Sequence, residues 1–265
     1  MRNETYKSIF LTHNDGVVSP HARMEKTMLL QGDCLQLMSE IPDGSVHLVL
    51  CDPPYGTTKA KWDTPLDLGK MWEQYKRLIK PNGALLMFAQ TPFDKVLGCS
   101  NLPWLRYEFI WEKTEATGHL NAKKMPMKAH ENILVFYNRL PTYNPQKTDG
   151  HVRKTALRVD RGKKQSVLYG SQKGTTSYDS TERYPRTVLR FSTDKQKENY
   201  HPNQKPLKLI EWLMRTYSNP GDTVLDNCMG SGTAAVAAKR LGRRFIGMEL
   251  EPGFVQVAHR RYMAA

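Results

Sequence analysis

The sequence predicts an α/β fold with a doubly wound, mostly parallel sheet. Two observations carry this expectation. Short, nearly continuous apolar runs rich in β-branched residues alternate with segments of helical apolar spacing. The length of 265 residues suits one large α/β domain or such a domain with an inserted module.

The elements follow in order. Residues 1–24 show no clear period and are expected to form an irregular N-terminal arm. Thr27 to Gln31 reads as a short strand ended by Gly32-Asp33, and Leu35 to Ile41 as a helix broken by Pro42-Asp43-Gly44. Val46 to Cys51 is a buried strand, because its apolar run is almost unbroken; Asp52-Pro53-Pro54-Tyr55 stops it, since two prolines cannot continue a sheet. An amphipathic helix from Leu66 to Ile79 closes on Pro81-Asn82-Gly83 and precedes the strand Ala84 to Phe88. Two further strands are expected at Tyr107 to Trp111 and Ile133 to Tyr137. After residue 200 the alternation resumes with a helix opened by Pro206, a strand Thr223 to Asp226 and a helix Thr233 to Leu241. A strand Phe245 to Glu249 and a helix Pro252 to Tyr262 complete it. The expected organisation is therefore an arm (1–24), a first half-domain (25–137), a basic insert (138–200) and a second half-domain (201–265).

Charge narrows the function. Lys and Arg number 39 against 26 Asp and Glu, a net charge of +13 that points to a polyanionic partner, nucleic acid ahead of anionic membrane. Segment 138–200 holds fourteen basic and six acidic residues, a surplus of eight. Its composition fits a solvated loop or a DNA-contacting insertion, with Tyr169, Tyr178 and Tyr184 interleaved among the cations. No apolar run approaches the roughly 18 residues that span a bilayer, and the start of the chain lacks a signal-peptide pattern. Cys34, Cys51, Cys99 and Cys228 share no short spacing, so zinc ribbons and disulfide scaffolds are not expected and a cytoplasmic location is.

Two strand ends carry chemistry. Open α/β sheets bind ligands outside the carboxyl ends of their strands, where Asp52-Pro53-Pro54-Tyr55 lies. The Asp52 carboxylate and a proline-fixed carbonyl offer two acceptors to the two N–H donors of an exocyclic amino group. Engaging both draws the nitrogen lone pair out of ring conjugation. Tyr55 offers a face on which a flipped base can stack. A rigid strand-to-loop turn would use the same prolines. The second site is Asp226-Asn227-Cys228-Met229-Gly230-Ser231-Gly232-Thr233, where glycines let backbone approach a ligand at a helix start. It lacks the Gly-Lys-Ser/Thr of a phosphate-binding P-loop. Glu249 ends the next strand, placed either to bind ribose hydroxyls or simply to be solvated.

Together these residues resemble the amino-methyltransferases of DNA that use S-adenosyl-L-methionine. Asp52-Pro53-Pro54-Tyr55 matches the catalytic motif, and Gly230-Ser231-Gly232 matches the cofactor motif, which is usually preceded by Asp-Pro-Phe. Here Asn227-Cys228-Met229 depart from that pattern. His201-Pro202-Asn203-Gln204-Lys205-Pro206 matches the segment before the cofactor motif. The order of catalytic motif, variable region and cofactor motif resembles the β group, and the match runs from about Met28 to Tyr262.

The resemblance implies a Rossmann-like, seven-stranded methyltransferase sheet with an inserted target-recognition region. Catalytic roles fall to Asp52, Pro53, Pro54 and Tyr55. Cofactor binding falls to Asp33 (also readable as an ordinary turn residue), Lys205, Asp226, Gly230, Ser231, Gly232, Thr233 and Glu249. It implies S-adenosyl-L-homocysteine as product, no metal, double-stranded DNA as partner, nucleoid association and a homodimer, in a restriction–modification setting with no endonuclease partner assigned. Adenine is expected over cytosine, because cytosine amino-methyltransferases of this kind more often carry serine at the position of Asp52. No cysteine follows a proline, which disfavours carbon-5 methylation through a covalent intermediate. A cytosine amino-methyltransferase, an RNA methyltransferase and a catalytically silent DNA-binding relative are the rival readings. The basic stretch of His119, Lys123, Lys124, Lys128 and His130 reads equally as a solvated loop or as a segment beside the target base.

Overall fold

The computed structural model describes residues 8–10, 27–60, 63–158, 165–166, 170–171, 176–194, 200 and 203–265. The chain divides into two compact units, one of 1–144 with 187–265 and one of 145–186. The larger unit begins with β1 (Ser8–Phe10), β2 (Met28–Gln31), α1 (Cys34–Met38), β3 (Val46–Cys51) and α2 (Leu68–Leu78). It continues with β4 (Ile79–Ala89), α3 (Phe93–Ser100), β5 (Leu105–Thr117) and β6 (Lys128–Phe136). The described residues of the smaller unit form four short strands, β7 (Lys154–Arg158), β8 (Gln165–Ser166), β9 (Gly170–Ser171) and β10 (Thr176–Ser180). The larger unit resumes with β11 (Val188–Phe191), α4 (Leu207–Tyr217), β12 (Thr223–Asp226), α5 (Thr233–Arg240), β13 (Arg244–Glu249) and α6 (Pro252–Ala264).

One sheet orders its described strands β1-β2-β13-β12-β3-β4-β6-β5-β11. Five of its neighbouring pairs are parallel. The other three, β1 with β2, β4 with β6 and β5 with β6, are antiparallel. The inner seven strands form the expected sheet, and β1 and β11 add one edge strand at each side. Neither strand is expected from the sequence: β1 falls within residues 1–24, read as an irregular arm, and β11 within the basic stretch 138–200, read as an insert. Their order comes from pairing, β1 against β2 and β11 against the long β5, rather than from any local period.

Helices cover both faces, and the residues of β3 explain why. Leu48 and Leu50 join one buried cluster with Leu209, Leu213 and Tyr217 of α4 and Ala234 and Ala237 of α5. Val49 and Cys51 point into the opposite cluster with Met38 of α1 and Met71, Trp72, Tyr75 and Leu78 of α2. A strand buried on both sides has no polar face, hence its unbroken apolar sequence. Two details differ from expectation. Pro81-Asn82-Gly83 lies inside β4, where the pairing register with β3 shifts, instead of forming a separate turn. Helix α3 is unanticipated; it is a short element anchored through buried Phe93 and Leu97.

The smaller unit pairs β7 with β10 antiparallel. Its cations are partly spent internally: Arg153 pairs with Asp179 at 2.6 Å and Lys147 with Glu182 at 2.8 Å. Arg183 donates to the Ser180 and Glu182 carbonyls. Lys154 and Arg186 are exposed. Tyr169 and the cations Arg161, Lys163, Lys164, Lys173, Lys195 and Lys197 lie outside the described residues, as do His201 and Pro202.

Candidate active site

Parallel pairing of β2, β13, β12 and β3 brings their carboxyl ends together. A cavity of about 500 Å³ opens there. Of the expected residues, Asp33, Asp52, Pro53, Pro54, Tyr55, Lys205, Asp226, Gly230, Ser231, Thr233 and Glu249 line it. Gly232 is set back. Its φ of +76° suits glycine, and a Cβ there would meet Ala258 Cβ of α6 at 2.6 Å, so its role is to let α5 start against α6.

Asp52 is the first link of a charge chain. Its Oδ1 accepts from the Tyr55 hydroxyl at 2.7 Å, and its Oδ2 accepts from Lys205 Nζ at 2.6 Å. Lys205 Nζ also lies 3.2 Å from Glu131 Oε2, and Glu131 Oε1 lies 2.6 Å from Lys113 Nζ. Glu131 (β6) and Lys113 (β5) are residues that motif reading missed. They meet because Glu131 pairs across the sheet with Trp111, putting Lys113 on the diagonal. Burial pushes the Asp52 carboxyl up, Lys205 pulls it back and Glu131 pushes it up again, leaving it above its ordinary value. Burial opposes charge on Lys205 and on Glu131 too, but their partners prevail: Lys205 is held above its usual value and Glu131 below.

A second missed residue fixes the loop after Asp52. Asp63 Oδ1 accepts from the backbone N–H groups of Tyr55 and Gly56, each at 2.8 Å. Its Oδ2 accepts from those of Thr57 at 2.9 Å and Thr58 at 2.6 Å. Burial raises the Asp63 carboxyl, but hydrogen bonds from Thr58, Gly56 and Tyr55 outweigh it, so the group sits below its ordinary value. The Tyr55 ring stacks on Phe93 of α3, centroids 5.2 Å apart and planes 21° apart. The unanticipated helix thus backs one face of the tyrosine.

The opposite wall is the turn after β12. Asp226 Oδ1 accepts from Cys228 N at 3.1 Å, and burial raises the Asp226 carboxyl to about 8. Asn227 is buried; its Oδ1 accepts from the Tyr75 hydroxyl of α2 at 2.6 Å, and its Nδ2 reaches Cys34 Sγ at 3.5 Å. Three cysteines without sequence spacing, Cys34, Cys51 and Cys228, line the same cavity, and Asn227 Nδ2 also reaches Cys228 Sγ at 3.8 Å. Arg261 of α6 braces the glycine turn, donating to Ser231 O at 2.7 Å and Thr233 Oγ1 at 3.1 Å. Glu249 accepts from Gly230 N and Glu251 N, both at 2.9 Å, and burial raises its carboxyl. Asp33 caps α1 through Leu35 N at 2.8 Å while facing the cavity.

His119, Lys123 and Lys124 of the basic stretch lie in the connection between β5 and β6, which holds a 3₁₀ turn at His119–Asn121, whereas Lys128 and His130 lie at the start of β6; all five are exposed. Lys128 Nζ donates to Gln90 Oε1 at 3.0 Å, and Gln90 lines the cavity, so the start of β6 lies at the rim. Among the described residues no group of three or more His, Cys, Asp or Glu side chains is arranged to hold a metal ion, and no helix is long and apolar enough to cross a membrane.

Comparison with known proteins agrees with this architecture. The chain is 29% identical over 262 residues to the type II methyltransferase M1.MboII of Moraxella bovis, covering 89% of this chain and 96% of that protein. It is 28% identical to M.BglII of Bacillus subtilis, covering 92% and 71%. Among solved structures, the M1.HpyAVI complex with S-adenosyl-L-methionine superposes with a TM-score of 0.59 at 22% identity, covering 88% of this chain and 97% of that one. The cytosine-N4-specific PvuII DNA methyltransferase gives 0.66 at 18%, covering 89% and 86%. Those two likenesses speak for the fold alone. A DNA modification methylase of Thermus thermophilus, solved with S-adenosyl-L-methionine and given that function only provisionally, yields 0.56 at 26% identity, covering 89% and 94%. Residues 46–260 match the family model for N6/N4 methyltransferases, described as DNA methylase, and the chain belongs to that family.

Proposed function

We propose that this chain methylates the exocyclic amino group of an adenine extruded from double-stranded DNA, with S-adenosyl-L-methionine as methyl donor. One observation carries the reading: Asp52, at the end of β3, and the glycine turn, at the end of β12, face a single cavity. The residues fit the cofactor. The cavity lies within the size range of small-molecule sites, about 300–1,000 Å³, and Glu249, at the end of β13 and in the cavity lining, would offer a ribose hydroxyl an acceptor. When bound, the cofactor supplies a sulfonium-activated methyl; transfer forms an N–C bond, breaks the C–S bond, and leaves S-adenosyl-L-homocysteine and one proton. Asp33 and Glu249 would hold the nucleoside end and the Gly230-Ser231 backbone the remainder, since all four line the cavity.

Asp52 has lone pairs left after serving Tyr55 and Lys205, since a carboxylate offers about four acceptor sites. Asp52 and the Pro53 carbonyl take the two amino N–H bonds and stabilise the positive charge that develops on nitrogen. Tyr55, backed by Phe93, offers its other face to the base. Adenine is assigned over cytosine on Asp52, where serine is more usual for the cytosine enzymes. The exposed cations of the smaller unit, Lys154 and Arg186, supply phosphate contacts.

The test is incubation with duplex DNA and S-adenosyl-L-methionine, digestion to nucleosides and mass spectrometry. N6-methyladenine is expected. N4-methylcytosine would transfer the assignment to cytosine, and absence of any methylated base would refute the activity. Asp52→Ala should lower the transfer rate about 100-fold or more while leaving DNA affinity nearly unchanged.

A further inference from the structure

The chain Asp52–Lys205–Glu131–Lys113 alternates in sign. Its last three side chains are almost wholly removed from water, at 10%, 12% and 8% exposure. The four members come from the end of β3, the approach to α4, β6 and β5, so the fold gathers them from across the sequence. A lysine paired with Asp52 alone would neutralise the carboxylate that has to stabilise a developing cation. Here the same ammonium is divided between Asp52 at 2.6 Å and Glu131 at 3.2 Å. Lys113, also 5.2 Å from the Trp111 ring centroid, holds the far oxygen of Glu131.

We propose that Glu131, held by Lys113, is a positioning residue for methyl transfer: it fixes the Lys205 ammonium and takes part of its charge, so that the Asp52 carboxylate is less neutralised by Lys205 and is a stronger acceptor for the amino group. This rests on the reading of Asp52 as the acceptor for the target amine. The charged and titratable groups facing Asp52 are Lys205, Glu131, Tyr55 from its own loop, Cys51 at the end of β3 and Asp226 at the end of β12. Of these, only Lys205 and Glu131 carry charge at neutral pH, because burial keeps Asp226 protonated and holds the Tyr55 and Cys51 protons in place.

Two substitutions push Asp52 in opposite directions. In Glu131→Gln the ammonium falls wholly to Asp52 and a repelling carboxylate is gone. The acid limb of the rate profile should move down by about one pH unit, with the maximal rate reduced about tenfold. In Lys113→Met, Glu131 draws Lys205 away from Asp52 and a nearby cation is lost. That limb should move up. The experiment is single-turnover transfer to duplex DNA from pH 5 to 9, with cofactor and DNA saturating, on wild type, both variants and Asp52→Ala. Calorimetry should find cofactor affinity unchanged in Glu131→Gln and Lys113→Met. Limbs that stay in place, or move the same way, overturn the proposal, because a merely structural role would lower rates without opposed shifts. If Glu131→Gln does not fold, Lys113→Met decides alone: an upward shift supports the proposal and an unmoved limb overturns it. An active Asp52→Ala would sink the reading of the reaction instead, a result distinguishable from either.

Discussion

Substituting Asp63 by asparagine tests whether one carboxylate holds the loop after β3, at Tyr55 to Thr58. Two oxygens accept four backbone N–H groups, from Tyr55, Gly56, Thr57 and Thr58. Asparagine keeps one oxygen and turns the other acceptor into a donor, so two N–H groups face an NH₂. Hydrogen bonds to a charged group contribute about 1.5–3 kcal/mol each. Losing two, with some relief from water entering the loop, should cost about 3 kcal/mol locally. That corresponds to roughly a hundredfold rise in the opening equilibrium of residues 55–58. Native-state hydrogen exchange reads it directly, as faster exchange of the four amides with little change in β3 or β12. The transfer rate should fall as well, because Tyr55 is placed by this loop. The effect also has a pH sign. The Asp63 carboxyl is below its ordinary value when folded, so its contribution is full above the unfolded value of about 4 and fades as pH falls through the folded one. The difference between wild type and variant should therefore shrink on acidification below about pH 4. Exchange at residues 55–58 within about threefold of wild type at pH 7 would refute the reasoning.

Tyr75→Phe removes the buried donor to Asn227 Oδ1 and should cost about 1–3 kcal/mol in urea unfolding, with cofactor affinity weakened at the adjoining turn. Burial raises Asp226 to about 8, so the folded state holds a proton that the unfolded chain releases near pH 4. Wild-type stability should fall by up to a few kcal/mol from pH 4 to 8 relative to Asp226→Asn and stay level above 8, measured by denaturant midpoints across pH. Lys154→Gln with Arg186→Gln should reduce the slope of log affinity against log salt by up to about two, whereas Arg153→Gln, whose guanidinium is paired with Asp179, should change it less.

The alternation of elements is legible because the central strands β3, β4 and β12 are buried on both faces and α2 on one, and these conditions write themselves into apolar periods. Edge strands and short helices lack that imprint. Nothing in Val188-Leu189-Arg190-Phe191 distinguishes a strand within a basic stretch; only the neighbouring length of β5 makes it one. Helix α3 has buried Phe93 and Leu97 but also Gly98, too little apolar pattern over eight residues to announce a helix. The site divides in the same way. Asp52 and Tyr55 form a compact motif readable by its chemistry, and Glu249 by its place at a strand end. Glu131 and Lys113 are two charged residues among 65 with no local signature, and their meaning arises when β5 and β6 pair. Lys205 was visible as part of a motif, yet its partners Asp52 and Glu131 lie far away in sequence and are given by the fold.

The departure at Asn227-Cys228-Met229 bears most directly on whether the proposed cofactor pocket works. A proline in the usual second place stiffens the turn through its ring and removes an N–H. Asparagine does neither, and an unbonded asparagine buried there would loosen the pocket. In this chain its oxygen takes the Tyr75 hydroxyl and its amide reaches Cys34 and Cys228, so helices α1 and α2 supply the constraint that the ring would have supplied. Met229 packs its sulfur onto Gly247, a contact open only because β13 has no side chain at that point. A catalytically silent relative would need these three residues to spoil the pocket. With the turn anchored by bonds to two helices and one strand, the substitutions give no reason to expect an empty pocket, and cofactor calorimetry on Tyr75→Phe measures how much of the anchoring they carry.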